Sequence, residues 1–175
     1  MNASTTVPPR RLELLDTSVL LEILEVPYES DRSVEVVEEF QAKCDAGVEL
    51  QIPMATVLET GAHIRKIKVP KEPEARKKCA NKFSRFLEAA LKGEAPWAFT
   101  SFSWDDKVIR ALLDGQGHGY GLERSLGDGV FEIGDLTIVE EWRLSSKNFN
   151  RKVVDVDVWT LDDTLRGVID DLRGC

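Results

Sequence analysis

Residues 12–21 (LELLDTSVLL) constrain the fold more than any other segment, because they predict a short buried strand that ends at Asp16 and passes directly into a helix. In an open α/β sheet, ligands and chemistry are found at the carboxyl ends of the strands. A strand-end aspartate is therefore well placed to hold a metal ion or to activate a water molecule. Asp is also a good helix N-cap, so this position alone does not separate a functional carboxylate from a capping one.

The alternation of strand and helix continues along the chain. Residues 48–52 alternate apolar and polar positions, residues 152–159 are rich in valine, and residues 97–102 are a further candidate strand. Helices are predicted over 19–24, 33–44, 55–67, 77–91, 105–113, 135–144 and 164–172. Apolar, β-branched strands separated by helices predict an α/β fold with a parallel sheet covered on both faces.

The size and composition of the chain favour one domain. At 175 residues, of which 42% are hydrophobic, it can build its own core, expected over residues 12–175. Residues 1–11 are expected to form a flexible tail, since they lack the apolar region of a secretory signal. Three scattered cysteines (Cys44, Cys79 and Cys175) argue against a disulfide framework or a zinc site and favour a reducing compartment, so we expect a cytoplasmic protein.

Charge is distributed unevenly. The net charge of −8 disfavours a nucleic-acid partner when it is taken for the whole chain. Residues 65–85, however, carry nine basic and only two acidic side chains, a local charge of +7 against −15 elsewhere. This segment, the basic strip, could face phosphates, although a solvated helix face is the simpler interpretation of a lone charge run.

Three further carboxylates follow at equivalent junctions between strand and helix. Glu59 falls in the first turn of the helix after the second strand, Asp135 opens a helix, and Asp162 follows the valine-rich strand. Carboxylates that converge at one sheet edge repel each other, and without a cation some of them would bind protons. Mg²⁺ and Mn²⁺ prefer such hard oxygen ligands, so the set that begins with Asp16 predicts a divalent-cation site.

Each of these acids also has a purely structural explanation. Asp16 and Asp162 can cap the helices that follow them, and Asp135 complements a helix dipole. Thr56 and Glu59 have the spacing of a capping box. Four independent caps need not fall at the ends of successive strands, however, and for that reason the set favours a functional site.

The chain resembles the PIN-domain ribonucleases over about residues 12–163. Residues 15–20 (LDTSVL) are similar to the first motif of that family, a strand-end Asp followed by Thr or Ser and then Val-Leu. Glu59 on a helix, residues 134–138 (GDLTI) and residues 160–162 (TLD) follow in the order of its later motifs. The resemblance implies a three-layer α/β/α sandwich with a central parallel sheet that hydrolyses RNA phosphodiesters with Mg²⁺ or Mn²⁺. Many bacterial members are the VapC-type toxins of toxin–antitoxin pairs.

The resemblance assigns roles position by position. The catalytic acids that it implies are Asp16, Glu59, Asp135 and Asp162, of which Asp16 and Asp135 are the direct metal ligands. The resemblance also implies that three hydroxyls orient these acids: those of Thr17 and Ser18 beside Asp16, and that of Thr160 near Asp162. It further implies that Arg76, Lys77 and Lys78 neutralise RNA phosphates.

These assignments leave alternatives open. The three hydroxyls could instead cap backbone amides. Asp163, Asp157 and Asp128 are the rivals for an acidic position if the register is different. The segment between the second and third acids is longer than in compact family members and contains both the basic strip and a Gly-rich run at 114–129. In addition, a helix is predicted after the fourth acid in place of the short strand that the family has.

Expected partners follow from the same resemblance. Single-stranded or looped RNA is the expected substrate, since its bases are accessible. An antitoxin or another protein regulator and a second copy of the chain are candidate partners, and no membrane partner is expected. His63, one turn after Glu59, could reach the site, but an exposed polar position is the preferred interpretation.

Two functions other than a nuclease stay open. A PIN-like scaffold that binds RNA or protein with little catalysis would suit the acidity outside the basic strip. A phosphatase with a strand-end Asp nucleophile is disfavoured, because the haloacid-dehalogenase pattern has a second acid two residues later and position 18 is Ser.

Overall fold

The computed structural model describes residues 8–68, 73–115 and 119–174. Within them, four parallel strands form one sheet in the order β3-β2-β1-β4. The strands are β1 (Arg10–Leu15), β2 (Glu49–Ile52), β3 (Trp97–Phe99) and β4 (Val154–Trp159). The prediction of an α/β fold with a central parallel sheet is therefore confirmed.

Eight helices accompany the sheet in these described residues. They are α1 (Thr17–Ile23), α2 (Ser33–Asp45), α3 (Met54–Lys66), α4 (Pro73–Lys92), α5 (Asp106–Asp114), α6 (Leu122–Gly127), α7 (Ile133–Asn148) and α8 (Asp163–Gly174). None of the helices described is both long and apolar enough to cross a membrane.

Alternate residues of β1 enter two different apolar clusters, as the two faces of a strand require. Leu12 and Leu14 pack with residues of α5, α7 and α8, whereas Leu15 packs with residues of α1, α2, α3 and α4. Both sets of side chains are buried. Burial on both faces explains why β1 and β4 are so apolar in sequence, and it is compatible with a helical layer on each side of the sheet.

The strand register brings distant segments to one edge. Leu15 at the end of β1 is paired with Trp159 at the end of β4, and the amide N–H of Asp16 donates to the carbonyl of Trp159 at 3.0 Å. The residues that follow the two strands, Asp16 and Thr160, are consequently neighbours at the carboxyl edge of the sheet.

Most element ends differ from the prediction by one to four residues. β1 begins at Arg10, so it includes the last two residues of the segment 1–11 that was predicted as a tail. Residues 1–7 of that segment lie outside the described residues. β3 ends at Phe99 rather than at position 102. α4 starts at Pro73, four residues before its predicted start at position 77, and proline suits the first helical position because no amide N–H is needed there. The Gly-rich run contains α6, while residues 116–118 of it lie outside the described part.

Candidate active site

One cavity of about 630 Å³ lies at the carboxyl edge of β1. Its walls come from the start of α1, the middle of α3, the segment before α7 and the junction of β4 with α8. The four acids singled out from the sequence, Asp16, Glu59, Asp135 and Asp162, all line it. The fold therefore brings together side chains that are up to 146 positions apart in the sequence.

Asp16 is buried and firmly held. Its Oδ2 atom accepts hydrogen bonds from the hydroxyls of Ser18 at 2.5 Å and Thr160 at 2.7 Å, and from the amide of Ser18 at 3.3 Å. The last of these makes Asp16 the N-cap of α1, so the capping interpretation is correct as far as it goes. Because all three donors meet Oδ2, Oδ1 takes none of them. The contact of Ser18 agrees with its predicted place beside Asp16, whereas Thr160, which was expected to orient Asp162, donates to Asp16 instead.

Thr17 serves a different acid from the one expected. Its hydroxyl donates to Oε2 of Glu59 at 2.8 Å rather than to Asp16. The capping box expected between Thr56 and Glu59 is not formed, since α3 begins after Pro53 and the Thr56 hydroxyl donates to the carbonyl of Leu15 at 2.7 Å. Glu59 therefore forms no capping box. It faces the cavity from the second turn of α3, one turn later than predicted.

Gly134 allows the first turn of α7 to approach α3 closely. A Cβ atom at this position would overlap the carboxylate of Glu59. The next residue, Asp135, accepts a hydrogen bond from the amide of Glu132 at 3.1 Å and completes a capping box there. Asp135 therefore caps α7 and lines the cavity at the same time.

The pKa values of the two half-buried acids, Asp135 and Glu59, are raised. Burial raises the pKa of Asp135 from 3.8 to about 7, against the hydrogen bond from the Glu132 amide; the charges of Asp16, Glu59 and Asp162 raise it further. Burial likewise raises the pKa of Glu59, opposed by the Thr17 hydroxyl. Carboxylates that act on one another in this way share one electrostatic environment.

Asp162 is the exposed member of the group. Its Oδ1 atom accepts from the amides of Thr164 at 2.7 Å and Leu165 at 2.9 Å, as an N-cap of α8 does. Among its rivals, Asp157 on β4 is paired with Arg166 and Arg173 of α8. The other two rivals, Asp128 and Asp163, are exposed and do not line the cavity.

A divalent cation suits this site in donor chemistry and in charge. The four side chains offer hard oxygen donors, and a cation would remove the repulsion that raises the pKa of Asp135. Among the residues described, no three His, Cys, Asp or Glu side chains are close enough together to enclose an ion. Binding of one ion by three of these acids would therefore require at least one of them to move closer to the others.

Two titratable residues of the cavity wall were given no role from the sequence. Glu132 lies three residues before Asp135 and lines the cavity at the start of α7. His63 was interpreted as an exposed polar position, yet it is only partly exposed and lines the cavity one turn beyond Glu59. The helical spacing of 59 and 63 was the available signal, since residues four apart share a face.

The predicted RNA-binding residues lie outside the cavity. Arg76, Lys77 and Lys78 are on the first turns of α4 and do not line it. The Arg76 guanidinium donates to the carbonyl of Arg65 at 3.3 Å, and Lys77 pairs with Glu74 at 3.2 Å. The basic strip thus starts beside the end of α3, next to the acidic cavity rather than within it.

No protein-family model, curated protein or solved structure matches this chain.

Proposed function

We propose that the protein is a metal-dependent endoribonuclease, a PIN-like three-layer α/β/α domain that hydrolyses RNA phosphodiester bonds. One observation carries the proposal. Four carboxylates from separate elements line one open cavity at the carboxyl edge of a parallel sheet, and the pKa of Asp135 rises to about 7 under burial and the charges of the other three. Perturbed acids gathered in a cleft are typical of a catalytic centre.

Asp16 and Asp135 are the residues that would hold Mg²⁺ or Mn²⁺. When bound, the cation supplies charge neutralisation at the scissile phosphate and a more acidic water. Ser18 and Thr160 fix the Asp16 carboxylate through Oδ2, which leaves Oδ1 for this task. A ligand whose orientation is fixed in advance loses less entropy on binding, so these hydroxyls support the site.

Glu59 and Asp162 would act on the attacking water. Burial raises the pKa of Glu59, which makes its carboxylate a better proton acceptor near neutral pH. In the hydrolysis, the water oxygen bonds to phosphorus, the bond from phosphorus to one ester oxygen breaks, and that oxygen leaves as a hydroxyl. The proton taken from the water balances the one that the leaving oxygen receives.

The broader setting is proposed on the same resemblance. The substrate would be single-stranded or looped RNA in the cytoplasm, and the chain would be the toxin of a toxin–antitoxin pair, as a monomer or homodimer. The second candidate function is a PIN-like scaffold that binds RNA or protein with little catalysis. It is favoured by one observation, the lack of three ligand side chains within reach of one ion among the described residues.

A cleavage assay with labelled RNA separates these functions. Purified protein is incubated with RNA in Mn²⁺, Mg²⁺ or EDTA, beside Asp16→Asn and the matched control Asp163→Asn, whose side chain is exposed and outside the cavity. We expect cleavage that requires metal, that falls roughly 100-fold or more in Asp16→Asn and that persists in Asp163→Asn.

Absence of cleavage under every metal would contradict the nuclease proposal. If the folded protein then still bound RNA, the scaffold function would replace it. Equal activity in Asp16→Asn and wild type would contradict the assignment of Asp16 to the active site.

A further inference from the structure

A second cavity, of about 440 Å³, adjoins the acidic one. His63 lines both cavities, so they share one residue of their walls. The walls of the second cavity are the loop at residues 27–29, which follows α1, and residues 66–68, which comprise the last residue of α3 and the two after it. Neither segment has a part in the proposed hydrolysis.

The loop presents an aromatic ring in a strained setting. Tyr28 is 78% exposed, and its φ of +67° lies in the left-handed region that residues other than glycine rarely adopt. Two hydrogen bonds hold the loop backbone around Tyr28. The amide of Glu29 and the hydroxyl of Ser30 both donate to the carbonyl of Val26, at 3.1 and 2.8 Å. Strain that the surroundings maintain at an exposed aromatic residue points to a binding role.

The opposite wall supplies positive charge. Lys66 and Lys68 line the cavity at the end of α3, and both side chains are exposed. The carbonyl of Arg65, just before them, accepts from Arg76 on α4, so the basic strip continues from this wall. Glu29 faces Nδ1 of His63 at 3.4 Å and connects the loop to α3. An aromatic ring beside lysines is the combination that binds single-stranded nucleic acid.

We propose that this second cavity is a nucleotide subsite for the RNA strand that enters the acidic cavity, with a base stacked on Tyr28 and phosphates bound by Lys66 and Lys68. The inference rests on the proposed function, whose substrate it places. It also accounts for how an acidic protein holds a polyanion, since the strand approaches the carboxylates from the basic side. Stacking on one ring is tolerant of sequence and requires an unpaired base, so the subsite selects single strands over duplexes.

Binding is measured without cleavage, by fluorescence anisotropy of labelled oligouridylate with the full chain in EDTA. The variants are Tyr28→Ala with the ring-retaining control Tyr28→Phe, and the double variant Lys66→Ala with Lys68→Ala. Lys92→Ala is the charge control, because Lys92 is exposed at the far end of α4. Thermal unfolding of each variant confirms that it folds, and cleavage by wild type in Mn²⁺ is followed separately.

We expect Tyr28→Ala to weaken binding roughly 5- to 100-fold and Tyr28→Phe to stay within about twofold. The lysine pair should lower the slope of log affinity against log salt by roughly 0.7 for each lysine, with no such change in Lys92→Ala. A duplex of the same length should bind the wild type more weakly than the single strand.

The possible failures are distinguishable. Cleavage by wild type together with unchanged binding in the Tyr28 and lysine variants would overturn the subsite and leave the nuclease standing. Binding that depends on Tyr28 without any cleavage would support the subsite and overturn the nuclease. If the folded wild type neither bound nor cleaved RNA, both proposals would fall.

Discussion

At the scale of single residues, the position of the Glu59 carboxylate depends on the absence of a side chain at Gly134. The first turn of α7 passes so close to α3 that a methyl group at 134 would occupy the space of that carboxylate. The carboxylate is the far end of a flexible side chain, so it can move without unfolding the protein. Its hydrogen bond from Thr17 would then be lost.

Gly134→Ala should therefore damage the site more than the fold. We expect RNA cleavage to fall by about tenfold or more, while the free energy of unfolding changes by no more than about 1 kcal/mol, since Ala is the better helix former. Cleavage rate and urea denaturation are the measurements. Gly167→Ala in α8, where a Cβ meets nothing within 4 Å, is the control and should keep full activity. Full activity in Gly134→Ala would show that the position of Glu59 is unimportant.

Glu141 makes stability depend on pH, at a distance from the acidic cavity. It is 1% exposed on α7, and burial raises its pKa from 4.5 to about 7, opposed by a hydrogen bond from Thr100. Below pH 4.5 the group is neutral in both the folded and the unfolded chain. As the pH rises towards 7, the unfolded chain ionises first, so stability is lost over this range and is constant above it.

Glu141→Gln removes this titration. Relative to wild type, the variant should gain of the order of 1–3 kcal/mol in free energy of unfolding between pH 4.5 and pH 8. Urea denaturation at several pH values measures the change. Glu38→Gln, at an exposed position on α2, should show no comparable trend. A difference between Glu141→Gln and wild type that is the same at all pH values would contradict the assignment.

At the scale of elements, the start of α2 depends on a side chain from α1. Arg32, the N-cap of α2, makes no capping hydrogen bond with its own side chain. The buried carboxylate of Glu22 instead accepts from the amides of Asp31 at 3.2 Å and Arg32 at 3.0 Å and from the hydroxyl of Ser33 at 3.0 Å. One carboxylate thus closes the loop that carries Tyr28 and caps the next helix.

Glu22→Ala should lower the free energy of unfolding by roughly 2–4 kcal/mol, because three donors lose a charged acceptor in a buried place. Glu35→Ala, in the exposed first turn of α2, is the matched control and should cost less than about 1 kcal/mol. Chemical denaturation gives both values. A cost for Glu22→Ala as small as that of the control would mean that water replaces the lost carboxylate.

The predicted helix and strand positions agree with the structure to within a few residues where the local pattern is strong. The prediction for β4 rested on its valines and that for α3 on its apolar periodicity, and both are close to the observed Val154–Trp159 and Met54–Lys66. It was less accurate at the start of α4, which begins at Pro73 rather than at position 77. Proline is found both at the first position of a helix and in the loop before one, so the local sequence does not fix this start.

At the scale of the whole molecule, the proposed metal site joins α1 and α7, which are far apart in the sequence. A cation bound by Asp16 and Asp135 would therefore stabilise the folded chain as a unit. At a Mn²⁺ concentration about 100 times its dissociation constant, Tm should rise by roughly 5–10 °C over its value in EDTA. Calorimetry checks this, with no comparable rise in Asp135→Asn and a wild-type response in Asp163→Asn. A wild-type Tm that is indifferent to Mn²⁺ would contradict a metal site.

The sequence by itself determined the class of fold and the candidate acids, because both leave local signals. Strand periodicity, helix spacing and an acid at or near the start of a helix are properties of neighbouring residues. They led to Asp16, Glu59, Asp135 and Asp162, which the structure places around one cavity. The same local signals explain why three of these acids, Asp16, Asp135 and Asp162, both cap helices and line the cavity.

Only the tertiary structure decided which groups act on which. The Thr17 hydroxyl bonds Glu59, 42 positions away, and the Thr160 hydroxyl bonds Asp16, 144 positions away. His63 lines the acidic cavity, and Tyr28 lines a second cavity together with Lys66 and Lys68, for the same reason, since strand order and register set where these segments meet. Contacts between residues so far apart leave no periodicity in a single sequence, so they are determined by how the elements pack.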